Sequence, residues 1–317
     1  MPIKSDLNTG LHNIKNGRPG ITENREVSHE REDDMKTALK IFAGGVLAAA
    51  FAVSAATGSF AASLLEKAKA GETIRIGFAN EQPWAYPGEG NKPLGFVNAI
   101  VLGTLKAMGI EKIEPVVTDW GGLIPGLKAN RYDIITGGMY ILKSRCENVD
   151  FSNPIGVFGD VFVVAKGNPK KIQTYEDIKS SSSILVTGAG YNIVEVAKKQ
   201  GIADGSIMQV PGPTEMLAAL LAGRADAVGT NYFGGKVLAD QSQGKAELTD
   251  PGKLPEWTKN WVGIGFRKSD TDFLAAYNKA QAEYLGTDGM MKAVAEYGYG
   301  KEQLPGDATT EFACTNR

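Results

Sequence analysis

Thr136-Gly137-Gly138-Met139-Tyr140-Ile141-Leu142-Lys143-Ser144-Arg145-Cys146-Glu147-Asn148-Val149-Asp150-Phe151-Ser152-Asn153-Pro154 is the stretch on which the reading of this chain turns. It follows Arg131-Tyr132-Asp133-Ile134-Ile135, a β-branched run that reads as a short buried strand. Gly137 and Gly138 therefore fall at the strand's end, where backbone without a Cβ approaches other groups closely. In open α/β sheets, ligands bind at such strand ends. Arg145, a few residues beyond, carries a planar guanidinium that can grip a carboxylate through two parallel charge-assisted hydrogen bonds, a geometry lysine cannot reproduce. The ordinary alternative is a solvated surface arginine.

On either side the chain alternates strand-like and helix-like segments. Thr73–Phe78 has strand periodicity, Leu94-Gly95-Phe96-Val97-Asn98 opens a helix running to Met108, and Glu114–Thr118 reads as a second strand. The alternation of strand-like and helix-like segments up to the Tyr132 strand leads to the expectation of a parallel sheet. Further on, Val157–Ala165 is strongly β-forming and Lys166–Pro169 is a turn. A second unit then follows, with Ile184–Val186 as a strand, Ile193–Lys199 and Glu215–Ala222 as helices and Arg224–Gly229 as another strand. Gly223-Arg224-Ala225-Asp226-Ala227 parallels Asn130-Arg131-Tyr132-Asp133-Ile134, each after a Leu-containing helix, which suggests two lobes of like construction. Trp261–Lys268 reads as a return strand, and Asp270–Tyr284 as an amphipathic helix packing back on the first lobe.

The opening stretch resembles a segment of the amino-acid-type periplasmic solute-binding proteins of ABC transporters. That segment usually reads Gly-Met-Ser-Ile-Thr-x-x-Arg, then Val-Asp-Phe-Ser-x-Pro. Here Gly138-Met139-Tyr140-Ile141-Leu142, Arg145 and Val149–Pro154 take those places, and the likeness extends from Thr73 to about Ala308. It implies an α/β chain with the two-lobed periplasmic-binding-protein fold (type II). Each lobe is a mixed, mostly parallel sheet flanked by helices, joined to the other by a two-strand hinge. The expected bounds are 73–161 with 266–312 for lobe 1, 166–260 for lobe 2, and hinge strands near 161–165 and 261–265. The resemblance implies that Arg145 holds the ligand's carboxylate. One departure is Val97, which stands where the family's Gly-Phe-Asp has its Asp.

Composition bounds the function. With 43% hydrophobic and 22% charged residues and a net charge of -2, nothing in the bulk electrostatics argues for a nucleic-acid partner. Residues 1–34 are polar and aperiodic, and read as a non-native or disordered extension with translation starting at Met35. From Met35 a short basic start leads into the apolar run Ile41–Ala56 and the small residues Ser59–Ser63. A cleaved signal peptide over 35–62 is expected, the run being short for a membrane span. Both histidines, His12 and His29, precede the expected cleavage, so His-based triads and His-ligated metal sites are excluded from the mature chain. No cofactor is expected. In an oxidising compartment Cys146 and Cys314 are expected to form a disulfide tying the C-terminal tail beside the Arg145 loop, two separate buried thiols being the alternative.

Trp84, Trp120 and Tyr140 lie on three loops that the family fold would bring to one pocket. Aromatic faces attract a delocalised or quaternary cation by about 0.5–2 kcal/mol each; ordinary core packing is the alternative for each ring. Tyr140 stands where the family has Ser or Thr, and Asn231 where amino-acid binders place an Asp on the α-ammonium. Without that charge and hydroxyl a primary ammonium is poorly compensated in a dry site. A compact zwitterion is the expected ligand, with Arg145 on its carboxylate and Glu81 accepting from ring N–H groups. The pattern is similar to the ectoine/hydroxyectoine-binding proteins, in which a Glu, aromatics, an Arg followed by Cys, and a C-terminal Cys take the places of Glu81, Trp84, Trp120, Tyr140, Arg145, Cys146 and Cys314. From the second lobe, Gly190, Tyr191 and Asn192, at the start of the Ile193 helix, are expected to face the ligand, with backbone N–H groups that could bind a carboxylate. The expected function is solute capture by lobe closure and delivery to an ABC permease at the membrane. The alternatives are a polar amino acid or quaternary amine as ligand, or a cyclohexadienyl-dehydratase-like enzyme with Glu81 as its acid or base.

Overall fold

The computed structural model describes residues 62–317. The extension at 1–34, both histidines and the leader up to residue 61 lie outside the described residues.

The first lobe opens with β1 (Ile74–Phe78), the short hairpin β2 (Tyr86–Pro87) and β3 (Pro93–Leu94), and the helix Phe96–Ala107. β4 (Ile113–Val117), the helix Leu123–Lys128, β5 (Ile134–Tyr140) and the short β6 (Asp150–Phe151) follow. β7 (Gly156–Ala165) leads into the second lobe, which contains β8 (Leu185–Gly188), the helix Asn192–Lys199, β9 (Ile207–Val210) and the helix Pro213–Leu221. It continues with β10 (Ala227–Asn231), the helix Tyr232–Gln241 and β11 (Ala246–Leu248). β12 (Lys259–Phe266) returns to the first lobe, which the helices Thr271–Tyr284, Asp288–Val294 and Thr310–Asn316 complete.

Both lobes use one strand plan. β4-β1-β5-β12 in the first lobe and β9-β8-β10-β7 in the second are each three parallel strands with an antiparallel fourth. The internal repeat has a structural cause. Asp133 and Asp226, equivalent in the two copies, accept the backbone N–H of Arg75 at 3.0 Å and of Ile184 at 2.8 Å. Each carboxylate thus pins the third strand of its lobe to the first. Asn130 and Gly223 end the preceding helices in left-handed conformation, with φ of 55° and 66°.

Two differences from the sequence reading concern the strands. β5 does not end at Gly137 but runs on to Tyr140, because β12 offers a ladder on that side. Between the pairs Ile135↔Gly265 and Met139↔Gly263, three residues of β5 face one of β12, a bulge that re-aims the strand at Gly137 and Gly138. The lobe crossing also lies elsewhere than expected. Gly156–Gly159 of β7 pairs with β12, whereas Asp160–Ala165 pairs with β10 and β11, so the exchange of partners falls at Gly159–Asp160 rather than within 161–165. The return precedes Lys259, and residues 261–265 already belong to the first lobe's sheet. β-branched density marks a buried strand but not its partner.

The first core packs Ile76, Phe78, Phe96 and Ile100 against Phe266, Phe273 and Tyr277, which is how the helix Thr271–Tyr284 is held to its lobe. Each such side chain contributes about 1.5–3 kcal/mol. The second core gathers Val163, Leu185, Val186, Ile193, Met216 and Leu220. Cys146 and Cys314 are bridged, with Cα atoms 5.8 Å apart, and the C-terminal helix docks on the Lys143–Cys146 turn. Among the described residues no helix is long and apolar enough to cross a membrane.

Candidate ligand-binding cleft

The carboxyl-end loops of both sheets face each other across a small cavity. Glu81, Trp84, Trp120, Gly138, Tyr140, Arg145, Tyr191, Asn192 and Asn231 line it, as does Gly137, which the sequence reading placed nearby but did not name as a site residue. Gly190, also expected, contributes differently. Its carbonyl accepts from Arg145 Nη2 at 3.0 Å and Trp120 Nε1 at 3.2 Å. Its φ of +80° explains why glycine stands where the lobes touch.

Arg145 is 8% exposed and forms no ion pair among the described residues. Its partners are carbonyls only: Nη1 donates to Tyr140 O at 3.0 Å, and Nη2 to Gly190 O. Burial pushes this guanidinium down to about 10, with Glu195 at a distance acting in the opposite direction. A desolvated cation held by neutral acceptors is prepared for an anion.

The rings are arranged in two edge-on pairs. Trp120 meets Tyr191 with centroids 5.4 Å apart, and the Arg145 guanidinium carbon sits 5.8 Å from the Trp120 ring centre. Trp84 meets Tyr140 at 6.3 Å. Trp84 is also a core residue, packed on Phe96 and Phe158, and its Nε1 donates to Asn231 Oδ1 at 2.9 Å across the cleft. Tyr191 thus supplies a fourth ring beyond the three singled out for an aromatic box. The Tyr140 hydroxyl is buried without a hydrogen-bond partner among the described residues.

Two carboxyls lie close to the site. Tyr191 Oη donates to Glu81 Oε1 at 2.5 Å, joining the lobes. Burial pushes Glu81 up to about 7, the tyrosine bond acting against it. Asp160, absent from the sequence-based site, accepts from Tyr175 and Asn192, and burial raises it to about 7 as well. Its signal was a lone charge inside Gly156-Val157-Phe158-Gly159-Asp160-Val161-Phe162-Val163, an otherwise apolar strand. Among the described residues no cluster of metal-ligating side chains occurs.

Comparison with known proteins accords with this geometry. Residues 74–299 match the family model described as bacterial extracellular solute-binding proteins, family 3. The chain is 33% identical over 260 residues to a probable amino-acid ABC transporter periplasmic-binding protein, y4tE, of Sinorhizobium fredii, covering 80% of this chain and 86% of the relative. It is 26% identical to the L-cystine-binding protein TcyJ of Escherichia coli K12, over 81% of this chain and 94% of that one. The solved structure of EhuB in complex with hydroxyectoine superposes with a TM-score of 0.73 at 25% identity, covering 80% of this chain and 98% of EhuB. The chain belongs to the bacterial extracellular solute-binding proteins, family 3, and is the solute-binding component of an amino-acid-type ABC importer.

Proposed function

We propose that the protein captures a compact zwitterion of the ectoine/hydroxyectoine kind in the periplasm, after export through a cleaved signal peptide, and hands it to a permease at the membrane. The observation that carries this reading is Arg145, a buried guanidinium that pairs with no carboxylate among the described residues, beside aromatic rings. It would take the ligand's carboxylate, while Glu81, the one carboxylate among the described residues lining the cavity, would take N–H groups of a delocalised cation. Position 231, where an acid would hold an α-ammonium, is an amide engaged with Trp84. Ligand contacts from both lobes would favour the closed arrangement about the two crossings of the chain, which is capture by population shift. The periplasmic placement is supported by the relatives' names and by the Cys146–Cys314 bridge.

A calorimetric panel of ectoine, hydroxyectoine, glycine betaine, choline and amino acids including L-cystine tests the assignment. Ectoine or hydroxyectoine is expected to bind at least about ten-fold tighter than the others, a difference of about 1.4 kcal/mol. Arg145→Ala is expected to abolish that binding. The second reading, a polar amino acid, is favoured by the names of y4tE and TcyJ; a tight amino acid with ectoine silent would establish it. An enzymatic role has less support, the relatives being transport proteins, although an ancestral amino-acid-binding precursor of cyclohexadienyl dehydratase is a structural neighbour. No turnover of prephenate or arogenate is expected.

A further inference from the structure

Asp160 is 1% exposed, sits where β7 changes sheets, and has no ion-pair partner among the described residues. Tyr175 Oη donates to its Oδ2 at 3.1 Å; Asn192 Nδ2 donates to Oδ1 at 3.1 Å and lies 3.4 Å from Oδ2. The titratable groups beside it, Tyr175 and Tyr140, are both raised by burial and stay neutral. Above pH about 7, where Asp160 is ionised and only accepts, the Asn192 amide must turn its NH2 toward Asp160 and its oxygen the other way. Asn192 lines the ligand cavity, and its Oδ1 accepts no hydrogen bond from the described residues.

We propose that Asp160 is a positioning residue for ligand recognition, locking the Asn192 amide so that Oδ1 faces the cavity as a neutral acceptor for an N–H on the ligand's cationic group. A freely flipping amide would spend part of its time presenting N–H groups to a cation. The lock removes that state and rejects ligands that cannot donate. The favoured class is a carboxylate-bearing zwitterion whose cation, amidinium or ammonium, carries at least one N–H, over a fully alkylated nitrogen. This deepens the reading above and rests on its placement of the carboxylate at Arg145.

The test is calorimetry on the full mature chain with ectoine, α-amino acids and glycine betaine, for wild type, Asp160→Asn and Asn192→Ala. Asp160→Asn keeps the shape but accepts either amide orientation. Asn192→Ala is expected to weaken the best N–H-bearing ligand about ten-fold and Asp160→Asn about three-fold, with glycine betaine changed less than about two-fold in either. In NMR spectra of the ligand-free protein, the Asn192 side-chain NH2 signal, identified by its loss in Asn192→Ala, is expected to shift with pH near neutrality in wild type and not in Asp160→Asn. Equal losses for both ligand types, or an amide signal indifferent to Asp160→Asn, overturn the proposal. Asn192→Ala leaves Asp160 in place and carries the binding test alone if Asp160→Asn does not fold. If an α-amino acid outbinds ectoine, the ectoine assignment falls and the comparison proceeds with that amino acid, whose ammonium also donates. If glycine betaine outbinds every N–H-bearing ligand, this inference falls and the zwitterion reading stands; binding of none overturns both.

Discussion

Asn231 accepts two hydrogen bonds with one oxygen, from Trp84 Nε1 at 2.9 Å and from Gly234 N at 2.8 Å, where it caps the helix Tyr232–Gln241. Aspartate could accept the same two and would add a negative charge at the cavity wall. Asn231→Asp is therefore expected to change stability by less than about 1 kcal/mol, while shifting preference toward α-amino acids by about ten-fold, the effect of one charge-assisted bond. Calorimetry with ectoine and an α-amino acid reads the ratio, and an unchanged ratio removes position 231 from ligand selection. Arg145 has the opposite tolerance. Its planar fork reaches two carbonyls at 3.0 Å in different lobes and leaves donors for a ligand, which a lysine ammonium cannot do at once. Arg145→Lys is expected to cost about 100-fold or more in affinity, close to Arg145→Ala, since the fork and not the charge alone holds the carboxylate.

The bulge in β5 and the turn after it are what bring these side chains to the cleft. Gly138 has φ of +76°, and a Cβ there would lie 2.4 Å from the Trp84 ring, which is itself wedged among Phe96 and Phe158. Gly138→Ala combines left-handed strain with overpacking and is expected to cost about 2–4 kcal/mol in urea unfolding. It would also displace Trp84 from Asn231. The turn Lys143–Cys146 is held from behind by the bridge to Cys314 and by Lys143 N donating to Arg317 O at 3.0 Å. Reduction is expected to lower stability by about 2–4 kcal/mol, as the urea midpoint with and without reductant would report. Ligand affinity should fall with it, because the Arg145 turn loses its support.

Across the whole molecule the lobes meet through residues that line the cavity and others beside it. Tyr191 bonds Glu81, Trp84 bonds Asn231, Trp120 and Arg145 share Gly190 O, and Ser144 Oγ reaches Glu195 at 3.0 Å. Glu81 makes this contact sensitive to pH. In the closed arrangement burial raises it to about 7, above the ordinary carboxylate range it would have when solvated. A group whose pKa rises on closing takes up a proton in doing so, so closure without ligand is favoured as pH falls from about 7 toward 4.5 and disfavoured above 7. Small-angle scattering of the ligand-free protein is expected to show a smaller radius of gyration at pH 5.5 than at pH 8. Glu81→Gln should flatten that dependence; an unchanged slope in the variant would assign it to another group, Asp160 being the next candidate.

Much of this protein was legible before any coordinates. Helices and strands follow local periodicity, so the Phe96 and Thr271 helices and the strands β1, β7 and β10 fall within a few residues of where the sequence puts them. The lobe repeat was readable because Asp133 and Asp226 perform the same task in the two lobes, bonding the neighbouring strand's backbone. Arg145 was proposed for the site from its position just beyond a strand end, a local quantity, whereas the other site residues were proposed from the resemblance to a known family. What the chain could not express locally were its pairings. Which sheet each half of β7 joins, that Gly190 offers a carbonyl, that Tyr191 adds a ring and that Asp160 orients Asn192 all depend on segments far apart in sequence. Strand partnership and polar satisfaction are settled together by packing, since a ladder edge or a buried carboxyl is stable only once every neighbour has arrived. Sequence alone determined the elements and the chemistry at their ends; the tertiary structure decided which ends meet.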